Sequence, residues 1–326
     1  MRNKSSTGSG PLKVAVVGGG SWGTAFSRLL ADRGHEVTLT CRNQQQAAAI
    51  AESGRNPRYL RNVDLRDVSP ATEAPVGADL YVLAVPSRSF AEVAAALPEG
   101  GPALSLTKGL DPSSGERLST LVQDRPVAVL SGPNMAEEIA EGLPSAAVIA
   151  SEDEDLSVEL QHAINSTVFR VYVNPDLAGV ELCAAAKNVI ALAAGGVDGL
   201  ELGDNGKAAL ITRGLAEMAR LGEAYGARPE TFAGLAGMGD LIVTCYSPYG
   251  RNRHAGELIA QGATAQEAIA QIGQVVEGLT TAPVLRDLSR RLGIELPITE
   301  GVCRILEGES LGELVASLMG RRPRGE

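Results

Sequence analysis

One lysine lies inside an apolar segment of the chain. Residues 183–196, CAAAKNVIALAAGG, have the pattern of a buried helix, and Lys187 is their only charged residue. An ammonium group held away from water is costly or loses its proton. The residues three and four positions away are uncharged, which excludes a salt bridge along the helix. We therefore expect desolvation to lower the pKa of Lys187 and predict general acid–base catalysis; a side chain that reaches out to water is the alternative.

A glycine-rich loop supplies a candidate nucleotide site. The strand-like run KVAVVG leads into GGGSWG, where Gly18, Gly20 and Gly23 fit G-x-G-x-x-G, and then into the helical pattern TAFSRLLADRG. Such glycines permit a tight turn and close approach of the backbone to a pyrophosphate, which the N-terminus of the following helix stabilises. The strand before the loop and the helix after it predict a dinucleotide cofactor, and a glycine-rich turn without a ligand is the alternative.

The end of the second predicted strand indicates which dinucleotide is bound. An acidic residue there binds the free ribose 2′-hydroxyl of NAD, but the segment TCRNQ offers Arg42 and no acid. Because arginine pairs with a 2′-phosphate, we expect NADP(H) to be accepted, and the preference over NAD(H) stays open. The alternative for Arg42 is a solvated loop charge.

Two polar residues follow later strands of the same half. Lys108 stands in SLTKGL and Asn134 in SGPNMAEEIA. Because open parallel sheets bind ligands beyond the carboxyl ends of their strands, Lys108 is predicted to lie on the cofactor side, with a surface lysine as the alternative. Asn134 and Glu137 have the spacing of a helix N-cap and its reciprocal acid, which is a sufficient structural reason for both. A helix start that faces an anionic ligand is compatible with that interpretation.

The segment GLAGMGDLIVTCYSPYGRNRHAGE combines an acid with a basic cluster. Asp240 adjoins an apolar run, and Arg251, Asn252 and Arg253 follow closely in an otherwise acidic chain. Locally concentrated positive charge is what a phosphate group requires, and an interdomain salt bridge is the alternative.

The candidate site residues lie in two regions of the chain with different predicted secondary structure. Up to about residue 174, short β-branched runs alternate with helical segments, which predicts a parallel sheet with crossover helices, whereas the later segments have helical periodicity. The predicted fold class is therefore α/β, with an N-terminal Rossmann-type dinucleotide-binding domain over residues 11–176 and a largely α-helical C-terminal domain over residues 177–326. The Ser- and Gly-rich start, residues 1–10, predicts a mobile tail and no signal peptide.

The composition of the chain limits the classes of partner and ligand that we expect it to bind. The net charge of −10 argues against nucleic acid, and the four cysteines, far apart and without a C-x-x-C pair, indicate reduced thiols in the cytoplasm. The three histidines have no metal-binding spacing, so we expect no metal site. No apolar run is expected to be long enough to cross a bilayer, which predicts no stable membrane insertion.

The motifs resemble one known family in their order. GGGSWGTA, TKGL, SGPNMAEE, AAAKNVIA, ALITRGLAEM, GLAGMGDLIVTC, RNR, GQVVEG and LPITE occur as in the bacterial type of glycerol-3-phosphate dehydrogenase [NAD(P)+]. The resemblance extends from about residue 12 to residue 320 and implies reversible reduction of dihydroxyacetone phosphate to sn-glycerol 3-phosphate, used in phospholipid synthesis. It also implies a homodimer.

The resemblance assigns a role to each matching residue. Lys187 matches the residue that protonates the carbonyl oxygen, and Lys108 and Asp240 match residues near the substrate. Gly132 and Asn134 match substrate contacts, and Gly250, Arg251 and Asn252 match the group on the phosphate side. The matching cofactor contacts are Gly18, Gly20, Ser21, Trp22, Gly23, Arg42, Lys108, Ala136, Arg251, Val275 and Glu277. Gly250 departs from the family, where serine is common, so a hydroxyl contact to phosphate is missing here, although the backbone N–H could still donate.

Two other functions remain open at this point. A related reductase with a Rossmann-type and a helical domain would act on a hydroxy or keto acid, such as ketopantoate, and would need a carboxylate site. A non-catalytic NAD(P)-sensing protein would bind the cofactor without oxidising it, and would have no use for a desolvated lysine.

Overall fold

The computed structural model describes residues 10–312. The predicted tail, residues 1–10, lies outside them except for Gly10, which is exposed. The described chain forms two compact units. The N-terminal unit extends to Asp111 and continues from Glu116–Glu181, and the C-terminal unit consists of Pro112–Gly115 and the chain from Leu182 onward.

An eight-stranded sheet forms the centre of the N-terminal unit. Its strands are β1 Lys13–Val17, β2 Glu36–Thr40, β3 Val68–Ala71, β4 Leu80–Leu83, β5 Ala103–Ser105, β6 Val127–Ser131, β7 Ser145–Ser151 and β8 Phe169–Asn174. The order is β3-β2-β1-β4-β5-β6-β7-β8, and every neighbouring pair is parallel except β6 and β7. This order reverses direction between β1 and β4, which is where doubly wound sheets bind dinucleotides. The predicted Rossmann-type fold is confirmed.

The sequence pattern located all strands but one. Sequence inspection missed β3 because its four residues, VSPA, include Pro70 and lack a clear alternation. Proline removes a ladder donor and is tolerated mainly on edge strands, and β3 lies at an edge of the sheet.

Helices cover the sheet of this unit. They are α1 Ser21–Asp32, α2 Gln44–Ser53, α3 Phe90–Ala95, α4 Ala136–Ala140 and α5 Glu154–Ile164. One large apolar cluster joins Phe26 and Leu30 of α1 to Val14 and Val16 of β1 and to Ile149 of β7. Removal of this apolar surface from water fixes the direction of α1, and with it the position of the loop that precedes α1.

Helix α6, Leu177–Gly199, continues from the sheet into the C-terminal unit. The expectation that no apolar run is long enough to cross a bilayer is wrong for this helix, which reaches that length and hydropathy. However, 89% of its most apolar window is buried inside the protein. Its composition is therefore explained by protein packing, as in the core helix of a soluble protein.

The rest of the described C-terminal unit is helical, as predicted. Its helices are α7 Gly203–Ala224, α8 Pro229–Ala233, α9 Asp240–Tyr246, α10 Arg251–Ala260, α11 Ala265–Ile272, α12 Glu277–Leu292 and α13 Pro297–Leu306, with a π-helical turn at Leu235–Gly239. The stretch ELIAQGATAQEAIAQIG forms parts of two helices because Gly262 has φ +102° and Thr264 begins α11 with a capping box.

Glycine contacts bring α10 against α6. A Cβ at Gly195 of α6 would lie 1.8 Å from the Arg253 carbonyl oxygen, and a Cβ at Gly256 of α10 would lie 1.9 Å from the Leu192 carbonyl oxygen. Neither position admits a side chain without moving a backbone. These glycines hold α10 against the C-terminal half of α6, the helix that carries Lys187.

A buried carboxylate caps α13 within the same unit. Glu217 of α7 accepts hydrogen bonds from the backbone N–H groups of Ile298 and Thr299 and from the Thr299 hydroxyl. These groups belong to the first turn of α13, whose N–H donors have no partner within the helix. Desolvation by burial nevertheless raises the pKa of Glu217 from 4.5 to about 7.

This shift predicts a pH-dependent stability. The folded protein holds the Glu217 proton more tightly than the unfolded chain, so its contribution is present below the unfolded pKa and is lost as pH rises through about 7. The loss is on the order of 3 kcal/mol. Glu217→Gln should remove this part of the pH slope in melting temperature, and Glu223→Gln, an exposed acid on α7, should leave it. Parallel slopes in the wild type and Glu217→Gln would contradict the assignment.

Candidate functional site

Two glycines of the G-x-G-x-x-G stretch after β1 are required by packing. Gly18 has φ +120°, and a Cβ there would lie 2.4 Å from the carbonyl oxygen of Ala84, which follows β4. A Cβ at Gly23 in α1 would lie 1.9 Å from the Gly18 carbonyl oxygen. The loop therefore lies against the end of β4, at the point where the strand order reverses.

Gly20 has a different reason to be glycine. Its φ of −81° suits any residue, and a Cβ there would meet no protein atom within 4 Å. Among residues 10–312, its N–H has no acceptor, and α1 begins next to it without a capping side chain or an acid in its first turn. The Trp22 indole N–H in that turn is buried and also lacks an acceptor in the described structure. An open, uncapped helix start fits a dinucleotide pyrophosphate.

Two substitutions in this loop should separate binding from folding. Gly20→Ala adds a methyl group on the open side, so we expect an unchanged melting temperature and a loss of NADPH affinity of roughly 10-fold or more, by displacement of the pyrophosphate from its donors. Gly23→Ala collides with backbone and should lower the melting temperature strongly. Thermal unfolding and NADPH titration of both variants test this. Equal NADPH affinity of Gly20→Ala and the wild type would place the cofactor elsewhere.

Arg42 lies just beyond β2. It is exposed and makes no hydrogen bond or ion pair with other described residues, so its guanidinium is available to a ligand. The following residue, Asn43, has a structural role, since its side chain accepts from the Gln46 N–H and caps α2.

Lys108, Gly132 and Asn134 meet beyond the ends of β5 and β6. The Lys108 ammonium donates to Asn134 Oδ1 at 2.8 Å and to the Gly132 carbonyl at 3.3 Å. The interpretation of Asn134 as a helix cap is wrong: Met135 precedes α4, no side chain caps that helix, and the Asn134 oxygen is directed to Lys108 instead. The Asn134 amide nitrogen is buried without a hydrogen-bond partner in the described structure. Ala136 is the first residue of α4.

Lys187 is buried in the C-terminal unit and has a charged partner. Its side chain, on a residue 4% exposed, donates to Asp240 Oδ1 at 2.6 Å and to Thr244 Oγ1 at 2.8 Å. The spacing of charges along α6 does not reveal this partner, because Asp240 lies 53 residues away, on α9. The carboxylate compensates the buried ammonium, and the hydroxyl fixes its direction.

Sequence reasoning did not single out Thr244 or Asn188. Thr244 lies one helical turn after Asp240, and this i, i+4 spacing, which puts both side chains on one face of α9, was the available signal. Asn188 follows Lys187 directly. Its Oδ1 accepts from Asn252 Nδ2 at 2.9 Å, and its Nδ2 donates to the Ala184 carbonyl at 3.2 Å.

The start of α10 is fixed by buried amides. Besides its bond to Asn188, Asn252 accepts from the Gly278 N–H at 2.8 Å, so it links α6, α10 and α12. Arg251 is exposed and donates to the Val275 carbonyl at 3.0 Å. Glu277 is the first residue of α12, next to that loop. The site at the start of α10 therefore combines a rigid asparagine with a solvent-facing guanidinium.

The Gly250 N–H has a partner within the protein. That N–H donates to the Ser247 carbonyl at 3.0 Å, inside the turn that leads into α10. Gly250 is the N-cap residue of α10 and supplies no side chain, and no acid stands in the first turn. The donors that this helix start leaves for an anion are therefore in its first turn and not at Gly250.

Arg253 does not belong with Arg251 as a second ligand-facing cation. Its guanidinium donates to Asp198 at 2.9 Å and to Glu257 at 3.1 Å. Asp198 also receives two hydrogen bonds from buried Lys207. The salt-bridge alternative therefore holds for Arg253, but within the C-terminal unit. In the described part of the chain, no cluster of His, Cys, Asp or Glu could hold a metal ion.

Two family models match the chain almost end to end. The model described as NAD-dependent glycerol-3-phosphate dehydrogenase N-terminus matches residues 13–157, and the model described as the C-terminus matches residues 176–316. A glycerol-3-phosphate dehydrogenase [NAD(P)+] of Moorella thermoacetica is 46% identical over 323 residues, which are 95% of this chain and 96% of the relative.

Solved structures agree with these matches. The crystal structure of glycerol-3-phosphate dehydrogenase from Coxiella burnetii superposes with a TM-score of 0.91 at 37% identity, covering 95% of this chain and 99% of that one. A ketopantoate reductase from Ralstonia eutropha has a TM-score of 0.59 at 20% identity, covering 91% of this chain and 97% of that one, and therefore shares the fold alone.

Proposed function

The chain belongs to the NAD-dependent glycerol-3-phosphate dehydrogenase family, and on this premise we propose that Lys187 is the general acid and base of its reaction. It is an NAD(P)-dependent oxidoreductase that reversibly reduces dihydroxyacetone phosphate to sn-glycerol 3-phosphate. The observation that carries the proposal is the buried contact of Lys187 with Asp240 and Thr244. It gives one buried lysine a charged partner and a fixed direction inside an apolar helix.

The proposed chemistry assigns one step to each group. Bound NAD(P)H supplies the hydride that reduces the carbonyl carbon. Lys187 donates a proton to the carbonyl oxygen as negative charge develops there, and in the reverse direction it removes that proton. Asp240 and Thr244 hold the ammonium against rotation, so little reorganisation is needed during the reaction. Lys108, Gly132 and Asn134 are proposed to bind the substrate, with Lys108 as a second electrostatic support.

The phosphate of the substrate is proposed to bind at the start of α10. The uncapped first turn of α10, the Arg251 guanidinium and the Asn252 side chain supply donors and positive charge there. Binding energy gained at this end of the substrate orients the carbonyl at the other end. Gly250 shapes the turn in this proposal and leaves the contacts to its neighbours.

In this proposal the N-terminal and C-terminal parts of the chain have different main roles in binding and catalysis. Residues 11–176 supply most of the cofactor contacts, together with the substrate contacts Lys108, Gly132 and Asn134. Residues 177–326 carry Lys187 and the residues proposed for the phosphate of the substrate. The proposed cofactor contacts are Gly18, Gly20, Ser21, Trp22, Gly23, Arg42, Lys108, Ala136, Arg251, Val275 and Glu277. The open side of Gly20 supports this assignment for the loop, and the solvent-facing Arg42 supports use of NADP(H).

The protein is also proposed to be a cytoplasmic homodimer that feeds glycerophospholipid synthesis, without nucleic acid or stable membrane insertion. The four buried free cysteines support a reducing compartment, and the net charge of −10 opposes binding to nucleic acid. The homodimer can be tested by the molar mass of the protein in solution.

A panel of ketones tests the proposal. We expect a kcat/KM for dihydroxyacetone phosphate far above that for dihydroxyacetone, because the phosphate supplies the orienting energy. Ketopantoate should be inert, since Arg251 at the start of α10 is proposed to bind a phosphate that ketopantoate lacks. Preference for ketopantoate would favour the related reductase. Binding of NADPH without oxidation by any ketone would favour the sensing protein.

A further inference from the structure

Gly19 is the glycine of GGGSWG that the dinucleotide pattern does not use. A Cβ at Gly19 would lie 3.0 Å from Gln46 Nε2 and 3.3 Å from Gln46 Cδ, which is tighter than most real contacts. Gly19 therefore leaves room for the amide of Gln46, which extends from the first turn of α2 onto the loop. The contact gives a reason for glycine at the middle of the three consecutive positions 18–20.

Two side-chain amides converge on the Gly19 carbonyl oxygen. Gln46 Nε2 donates to it at 2.7 Å, and Asn56 Nδ2 donates to it at 3.0 Å. A backbone carbonyl only accepts, so this partner fixes which end of each amide is nitrogen. A peptide oxygen with two donors at these distances is strongly held in one direction.

Asn56 makes hydrogen bonds through both the nitrogen and the oxygen of its side-chain amide. The residue is 0% exposed, and its Nδ2 also donates to the Thr24 hydroxyl at 2.8 Å. Its Oδ1 accepts from the backbone N–H groups of Arg58 at 3.1 Å and Tyr59 at 3.3 Å. Asn56 thus joins the loop to the first turn of α1 and to the turn at 58–59. A buried amide with all these partners is rigid.

The held carbonyl determines where the next N–H points. The Gly19 C=O and the Gly20 N–H belong to one peptide group, and in a trans peptide they point in opposite directions. The carbonyl is directed to Gln46 and Asn56, and the N–H has no acceptor within residues 10–312. We propose that Gln46 and Asn56 are positioning residues that aim the Gly20 N–H at the pyrophosphate of the coenzyme. This rests on the proposed function, in which the loop binds NAD(P)H.

The hydrogen bonds from Gln46 and Asn56 preorganise the loop for coenzyme binding. A loop whose donor already points at the ligand loses less freedom on binding than one whose peptide must rotate first. Neither side chain touches the coenzyme in this proposal, so the effect of each should appear in coenzyme affinity and not in the chemical step.

Gln46→Met tests the proposal. Methionine preserves length and helix propensity but cannot donate to Gly19, and Gln45→Met, an exposed neighbour on α2, is the matched control. We expect the dissociation constant for NADPH to rise roughly 3- to 10-fold in Gln46→Met, the effect of one lost hydrogen bond, and to stay unchanged in Gln45→Met. The kcat at saturating NADPH should stay within about 2-fold of wild type.

A fragment without a pyrophosphate distinguishes positioning from general damage. Adenosine 2′-monophosphate should bind wild type and Gln46→Met equally, because it cannot reach the Gly20 N–H. Asn56→Ala, which removes the second donor, should show the same selective loss of NADPH affinity, together with a lower melting temperature. A selective loss of this kind is not expected from an unstable loop.

Three results would overturn the inference. Unchanged NADPH affinity in Gln46→Met would show that the carbonyl needs no second donor. Equal weakening of NADPH and of the fragment would place the effect on the adenosine side. Failure of the wild type to bind NADPH or NADH would remove the proposed function itself, and the wild-type titration therefore separates that failure from the other two.

Discussion

Replacing Lys187 by methionine is expected to lower kcat by ~100-fold or more, the usual scale for a lost acid–base group, while NADPH affinity stays nearly intact. The reason is geometric. Lys187 is the buried ammonium that Asp240 and Thr244 hold in one direction, and in the proposed reaction it supplies the proton. Steady-state kinetics with dihydroxyacetone phosphate and a separate NADPH titration measure the two effects independently.

This substitution also leaves Asp240 as a buried charge without its ammonium, which costs about 3 to 5 kcal/mol in comparable cases. Lys207→Met is the matched control, because Lys207 is a second buried lysine in the same unit and is paired with Asp198. It should lose stability and keep kcat. Thr244→Val removes a hydroxyl without exposing a charge, and should lower kcat about 10-fold with the fold intact. Normal turnover of folded Lys187→Met would end the proposal.

Replacing Arg251 by alanine is expected to raise the KM for dihydroxyacetone phosphate roughly 10- to 100-fold, because a hydrogen bond to a charged group is worth about 1.5 to 3 kcal/mol. The kcat should change less, since Arg251 is assigned to the phosphate and not to the reacting carbonyl. Its contact with the Val275 carbonyl is solvent-exposed, so we expect little loss of stability.

Two controls sharpen the Arg251 experiment. Arg251→Lys keeps the charge but loses the planar fork, and should restore part of the affinity. Arg290→Ala removes an exposed arginine of α12 and should leave KM at the wild-type value. An unchanged KM for dihydroxyacetone phosphate in Arg251→Ala would move the phosphate site away from the start of α10. A rise in the KM for NADPH alone would assign Arg251 to the cofactor only.

Local patterns in the sequence were sufficient to predict most of the strands and helices. Runs such as KVAVVG and VAVLSG predict strands because β-branched residues favour a pleated, buried surface, and β1 and β6 are found there. The glycine loop and the helix after it were also predictable, since G-x-G-x-x-G between a strand and a helix is a pattern of consecutive residues. The strand that was missed, β3, contains a proline and has few residues to show a period.

Partners distant in the chain were not predictable. Asp240 reaches Lys187 across 53 residues, and no period or spacing encodes that contact. Asn134 has the spacing of a helix cap, but its side-chain oxygen accepts a hydrogen bond from Lys108 and does not cap α4. In each case a tertiary hydrogen bond between charged or amide groups overrides the local preference.

Contacts between distant residues also determine the roles of the residues at the start of α10. The spacing of Arg251, Asn252 and Arg253 suggests one basic cluster, but successive helical residues point in different directions. Arg253 turns to Asp198 and Glu257, Asn252 turns to Asn188, and Arg251 remains facing solvent. Sequence identified the segment, and packing of α10 on α6 determined the role of each residue.

The proposed activity is tested by following NADPH absorbance when dihydroxyacetone phosphate is added to the wild-type protein. We predict loss of NADPH absorbance with formation of one sn-glycerol 3-phosphate per NADPH oxidised, and the reverse change when NADP+ and sn-glycerol 3-phosphate are supplied. The absence of oxidation with both NADPH and NADH, across the pH range in which the protein stays folded, would contradict the account.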